Sequence, residues 1–195
     1  GEERSAGTRY VVYVDGGQAY EADAVIVAAE SYLAADLLRP IDRLLAENLE
    51  AISWASAATV SLAFRQETVG HELNGFGFLV PGAEKRKISA ATWSSTKWPG
   101  RAPEGYVLIR VFVGGAHNQG LVELDDDEMT RVVRGELRQI MGVSAEPEFR
   151  WVFRWFRGMP QYTLGHLERL AAMEERLAEH PGLYLCGASY RGVGT

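Results

Sequence analysis

Apolar and polar positions change period several times along the 195 residues, and each change marks an element. Tyr10-Val11-Val12-Tyr13-Val14 is a β-branched and aromatic run. Asp15-Gly16-Gly17 reads as a turn and Ala19-Tyr20-Glu21 as the returning strand. The apolar run Ala24-Val25-Ile26-Val27-Ala28-Ala29 predicts a buried strand. Ser31 is placed to cap a short helix through Leu38. Pro40 breaks that helix and is placed to start the next, where Ile41, Leu44, Leu45, Leu49 and Ile52 recur at helical spacing. From Ala58 the period falls to two: Ala58, Val60, Leu62 and Phe64 alternate with Thr59, Ser61, Ala63 and Arg65. That pattern is a strand with one dry face. Further strands are predicted over 76–80, ended by Pro81-Gly82, and over 88–94, 106–113 and 149–156. The acids of Asp125-Asp126-Asp127-Glu128 sit where a helix dipole favours negative charge. Val132, Val133, Leu137 and Ile140 continue that helix as an apolar stripe until Gly142. A last helix carries Leu167, Leu170, Ala171, Leu177 and Ala178 and stops at Pro181-Gly182, before the strand-like Leu183-Tyr184-Leu185-Cys186.

The order predicts an α+β fold: a mixed or antiparallel sheet with flanking helices, plus terminal strands from a different layer. No internal repeat, low-complexity segment or long linker interrupts it. The glycine-rich stretch from Gly187 to Thr195 begins a turn of the kind that usually leads into a helix, and the chain reads as a fragment. Composition adds little: 47% hydrophobic residues, 24% charged residues and a net charge of −6 describe an ordinary globular chain. An acidic balance without a basic face argues against nucleic acid as a partner. A single cysteine excludes an internal disulfide, and Cys186 is expected as a buried, reduced thiol. No apolar stretch approaches the ~18 residues of a membrane span. Gly1-Glu2-Glu3-Arg4 reads as neither a signal nor a transit peptide, so a cytoplasmic location is expected.

Side-chain chemistry is sparse. None of His71, His117, His166 and His180 is paired at metal-ligand spacing. The acidic run reads as a helix start rather than a cation site, because a calcium loop needs spaced ligands and a glycine. His166 reads as a surface or capping residue, and Lys85-Arg86-Lys87 as a solvated loop. No catalytic residue and no metal site are assigned. A chain without an evident acid, base or nucleophile often relies on a cofactor. Two features stand out. Gly187, Gly192 and Gly194 follow a predicted strand, where a backbone can approach a ligand closely. Aromatic residues gather in the strand region: Phe76, Phe78, Trp93, Trp98, Trp151, Phe153, Trp155 and Phe156. They build either an aromatic core or a wide apolar pocket for a flat ligand.

Five segments together resemble the protoporphyrinogen and coproporphyrinogen oxidases of haem biosynthesis, FAD-dependent flavoproteins of the amine-oxidase-like superfamily. They are Asn74-Gly75-Phe76-Gly77-Phe78-Leu79-Val80-Pro81 and Trp93-Ser94-Ser95-Thr96-Lys97-Trp98-Pro99-Gly100-Arg101-Ala102-Pro103. Val113-Gly114-Gly115 and Met159-Pro160-Gln161-Tyr162-Thr163-Leu164-Gly165-His166 follow, and then Gly187-Ala188-Ser189-Tyr190-Arg191-Gly192-Val193-Gly194. The similarity runs from about residue 20 to the end. It implies part of an FAD-binding domain over 1–39, a substrate domain over 40–155 and a return to the FAD-binding domain over 156–195. The family's Gly-x-Gly-x-x-Gly loop is absent from these residues, and Thr195 stands where the family has Ile, so the chain is expected to be a C-terminal fragment.

The resemblance carries flavin contacts to Trp155, Gly192, Val193, Gly194 and Thr195, and tetrapyrrole contacts to Leu79, Trp98 and Met159. Leu79 would press on one pyrrole ring, Trp98 stack on another and Met159 fill an edge. The implied reaction passes hydride from a bridging methylene of the porphyrinogen to the flavin, with oxygen as the acceptor. Three rounds remove six electrons. Protoporphyrinogen IX is the first substrate expected, with coproporphyrinogen III, which has two additional propionates, as the alternative. A non-catalytic tetrapyrrole-binding module, or another flavin amine oxidase relative, are further alternatives, and the fragment alone is expected to be inactive. Exposed apolar surface would favour self-association. Membrane contact is not expected of the fragment and is reserved, as a peripheral one, for the full-length protein.

Overall fold

The computed structural model describes residues 10–192 and divides into two compact units, Gly1–Ser53 with Pro160–Thr195, and Trp54–Met159. In chain order the strands are β1 (Tyr10–Tyr13), β2 (Ala19–Ala22), β3 (Val25–Val27), β4 (Ser53–Arg65), β5 (Gly77–Leu79), β6 (Ile88–Trp93), β7 (Tyr106–Gly114), β8 (Phe149–Gln161) and β9 (Leu183–Leu185). The helices are α1 (Ser31–Leu38), α2 (Arg43–Glu50), α3 (Gln66–Val69), α4 (Ser94–Lys97), α5 (Asp126–Met141) and α6 (His166–Ala178). The α+β layout read from the sequence is the one observed.

In the first unit β1 and β2 form the expected hairpin, and β3 pairs in parallel with β9, Val25 opposite Leu183. The run around β3 is not the buried strand the sequence suggests. Val27 is buried, but Ile26 is 67% exposed, because the β3–β9 pair is a two-stranded sheet in which alternate side chains take opposite faces. Cys186, expected in the interior, follows the end of β9 and is exposed. Helix α2 packs against α1 and α6. Two helix starts differ from expectation. Ser31 is buried as the first residue of α1 and Glu30 takes the cap position. Pro40 lies in the turn between the helices, and Asp42 caps α2 by accepting a 2.9 Å hydrogen bond from the Leu45 N–H.

Asp42 does more than cap. Its second oxygen accepts from Arg176 Nε at 2.9 Å and lies 2.9 Å from His180 Nε2, which ties α2 to the end of α6. Burial by itself would raise this carboxyl. The hydrogen bonds from Arg176, Leu45 N–H and His180, with the charge of Arg176, outweigh burial and hold it well below the usual carboxylate range.

The second unit is a five-stranded sheet in the order β5-β6-β7-β4-β8. β4 and β7 are antiparallel with Leu62 opposite Ile109 and Arg65 opposite Tyr106. Their alternation sends Val60, Leu62 and Phe64, with Val107, Ile109 and Val111, to one face, where Met129, Val133 and Leu137 of α5 complete the core. Asp125 caps α5 through a 2.8 Å bond from the Glu128 N–H, and Gly142 ends it at φ +73°, as the sequence predicts. The acidic run has a second use. Arg154 of β8 bonds Asp126 Oδ1 at 2.7 Å and the Val122 and Leu124 carbonyls at 3.0 and 2.7 Å, and Arg150 pairs with Asp127. Edge strand β8 is thereby pinned to the start of α5. The loop of Lys85, Arg86 and Lys87 is not simply solvated either. Arg86 Nη1 reaches Glu136 Oε2 and Gln139 Oε1, both at 3.1 Å, and docks the loop on α5.

β8 runs on past Phe156 to Gln161 with a kink. Arg157 takes φ +48° and its N–H donates to Ser56 Oγ at 3.0 Å. At Gly158 a Cβ would stand 2.6 Å from the Trp155 Cβ, closer than packed carbons allow.

Two outcomes are expected. Asp42→Ala lowers unfolding free energy by roughly 2–4 kcal/mol at neutral pH, the loss of a cap plus a buried charge pair. Because the folded carboxyl lies below its unfolded value, the stabilisation is fully present above about pH 4 and is lost as the pH falls through the folded value. Urea melts of the two proteins therefore converge at acid pH. Gly158→Ala costs about 1–3 kcal/mol by overpacking against Trp155, read as a lower urea midpoint with an altered near-ultraviolet tryptophan signal.

Candidate functional site

The face of the sheet opposite α5 carries a cavity of about 1100 Å³ within the Trp54–Met159 unit. β5, β6 and β7 make its floor. The loop after β5, the loop after β7 and Met159 make its sides. The local sequence explains the walls. Gly77 pairs closely with β6 at φ +138°, where a Cβ would collide with the Ala91 carbonyl, and two residues later Leu79 stands on the cavity wall. On β7 the alternation that buries Val111 and Val113 turns Phe112 to the cavity. Beyond the kink in β8, Met159 lines the same space as Ala57 and Gly115.

Leu79 and Met159 are thus brought to one cavity, with Leu79 84% exposed to it. Trp98 does not line it. It follows α4, beyond the end of β6 remote from Ile88, with Lys97 Nζ 4.5 Å and the Arg101 guanidinium 5.8 Å from its ring centre. Trp155 is also away from the cavity lining, on the opposite edge strand from Leu79, tilted against Phe153 at 5.2 Å. Phe112 is a lining residue that the sequence reading passed over. Its signal was available, since it is an aromatic at an outward position of a strand whose other face is all aliphatic.

Most of the aromatics do not form a core. Trp93 is buried and Phe78 half-buried, but Phe76, Trp98, Phe149, Trp151, Phe153, Trp155 and Phe156 are exposed. β8 is an edge strand, and its positions 149, 151, 153 and 155 face away from Val152, which packs on the core.

In the other unit Gly187 to Gly192 form a turn tied to α6. Tyr162 Oη donates to the Ala188 carbonyl, His166 Nε2 lies 2.8 Å from the Tyr190 carbonyl, and Arg191 pairs with Glu174. His166 is therefore a buried anchor, stacked on Tyr162 at 4.4 Å, and not a surface residue. Burial pushes the Tyr190 phenol up to about 12, with a smaller contribution from Cys186. Gly192 is exposed at φ +142°, with nothing within 4 Å of the place a Cβ would occupy. Val193, Gly194 and Thr195 lie outside the described residues.

The cavity wall contains no carboxylate; its polar and ionisable side chains are Ser89, Thr92, Asn118, Lys85, Arg86 and His117. Such a site can hold a broad apolar molecule against its floor, with its ionisable groups gathered on the loops after β5 and β7.

Comparison with known proteins gives the same direction. Coproporphyrinogen III oxidase of Bacillus subtilis strain 168 is 37% identical over 190 residues, covering 97% of this chain and 40% of the relative. Protoporphyrinogen oxidase 1, chloroplastic, of Spinacia oleracea is 32% identical over 189 residues, covering 92% of this chain and 34% of the relative. A crystal structure from Exiguobacterium sp. 255-15, bearing the name of a protoporphyrinogen oxidase, superposes with a TM-score of 0.82 at 35% identity. It is matched over 98% of this chain and 41% of its own. The chain spans about two fifths of the length of the Bacillus relative. Residues 3–195 match the family of flavin containing amine oxidoreductases, and the chain belongs to that family.

Proposed function

We propose that these residues are the substrate-binding portion of an FAD-dependent porphyrinogen oxidase. The observation that carries this reading is the apolar cavity on the open sheet face, with Leu79 and Met159 on its walls. A porphyrinogen is large, and its ring system is apolar. Contact with Leu79, Phe112 and Met159 would hold it by area rather than by hydrogen bonds. The names of the relatives support the substrate class, and they are divided between coproporphyrinogen III and protoporphyrinogen.

Two-electron oxidation is the chemistry that FAD supplies when bound. The residues proposed to hold it are Trp155, Gly192, Val193, Gly194 and Thr195. Two observations, each within its own unit, support this reading: the Trp155 ring is exposed, and the Gly192 backbone is open to close approach. What this chain itself contributes is orientation and water exclusion. Oxygen as the acceptor is part of the proposal, as is the assignment of the terminal segments to an FAD-binding domain. The exposed β8 aromatics Phe149, Trp151 and Phe153 support self-association of the chain. Among the described residues no helix is long and apolar enough to cross a membrane. A cytoplasmic location, with peripheral membrane contact in the full-length protein, is part of the same reading.

Titration with coproporphyrin III and protoporphyrin IX, followed by tryptophan quenching, tests the reading. Saturable binding is expected, weakened about tenfold by Leu79→Ala, the loss of one large aliphatic contact. Unchanged affinity in Leu79→Ala, with a loss in Trp98→Ala, would place the ligand elsewhere.

A further inference from the structure

The chain is acidic, with 26 acids against 20 bases, yet no acid lines the cavity. Its ionisable wall residues are Lys85, Arg86 and His117. Arg86 is committed to Glu136 and Gln139 of α5. Among the described residues neither Lys85 nor His117 has a side-chain hydrogen bond or ion pair.

Their shared position is fixed by the fold. Lys85 follows the turn of Gly82–Glu84 after β5, and His117 follows β7. Asn118 Nδ2 donates to the Arg86 carbonyl at 2.9 Å and staples the two loops together. The Arg86–Glu136 pair fastens the same loop to α5. Lys85 itself takes φ +50°, a left-handed conformation uncommon for a residue with a side chain. The rim thus carries one ammonium and one imidazole on the wall of a largely apolar cavity. Against such a wall a charge contact is less screened than on open surface.

We propose that Lys85 and His117 form a carboxylate clasp that takes the acidic side arms of the macrocyclic ligand held by the cavity. The clasp rests on the porphyrinogen reading and sharpens it. The ammonium of Lys85 provides three donors, and the His117 ring provides an N–H donor in either protonation state. Such a rim favours the substrate with more carboxylates, coproporphyrinogen III over protoporphyrinogen IX.

The test compares coproporphyrin III, protoporphyrin IX and coproporphyrin III tetramethyl ester, stable ligands with four, two and no free carboxylates, on the 195-residue chain. The tetra-acid is expected to bind most tightly. Lys85→Ala and His117→Ala should each weaken it about fivefold, as single charge-assisted contacts do. The double variant should bind tetra-acid and ester nearly alike, with the ester affinity changed less than twofold, and Lys85→Arg should retain the preference. Both positions are exposed, so circular dichroism should show native folding in every variant. If the double variant keeps the parent's ratio of acid to ester affinity, or loses both equally, the clasp is overturned while the cavity reading stands. If no porphyrin binds the folded parent chain, the porphyrinogen reading fails and the clasp with it; if Leu79→Ala affects neither acid nor ester, the ligand lies outside this cavity and the clasp is overturned.

Discussion

One antiparallel register, Leu62 of β4 opposite Ile109 of β7, sorts the side chains of the larger unit into core and cavity. Side chains alternate across a strand, so a slip of one residue would exchange the two sets. Val107, Ile109, Val111 and Val113 would leave α5, and Leu108, Arg110 and Phe112 would enter the core. The burial of the aliphatic set therefore holds the cavity wall in place. The same alternation sets the chemistry of the open face, since β-strands that bury aliphatics on one side must present whatever lies between them on the other. Here that is Leu79, Phe112 and small residues, which leave room for a broad apolar ligand.

Polar contacts do narrower work, mostly at element ends. Asp42 joins the start of α2 to the end of α6, and Arg154 joins β8 to the start of α5. Asn118 and Arg86 join the two loops at the cavity rim. In each case a side chain satisfies helix-end or loop groups that would otherwise be left without partners. The rim that results is cationic on an acidic chain. Membership of a flavin-containing family and a largely apolar cavity without a carboxylate agree with one another. Where a cofactor carries the electrons, the protein needs to place a substrate more than to move its protons.

Element order and the ends of α5 were legible because they depend on local rules. The period-two pattern at Ala58 to Phe64 marks β4, and the acids at 125–128 with Gly142 bound α5. Leu79 and Met159 were legible only through resemblance, since neither strand periodicity nor composition distinguishes a cavity leucine from a core leucine. Cys186 and His166 were misread, and the β8 aromatics left open between core and pocket, for one reason. Residue type predicts burial on average, but actual burial depends on which layer covers a position. His166 is covered by Tyr162 and the turn around Tyr190, whereas Cys186 and Trp151 lie on exposed surface.

The sequence by itself determined the alternation, the start of α5, the turns and the family motifs, because each is written within a few neighbouring residues. Tertiary structure alone decided that Leu79, Phe112, Met159, Lys85 and His117 share one space. Those residues are up to 80 positions apart, and only strand pairing, the kink at Gly158 and the Asn118 staple bring them together. The physical reason is that a local pattern fixes the direction of a side chain relative to its own strand, while its neighbours depend on which strand lies beside it.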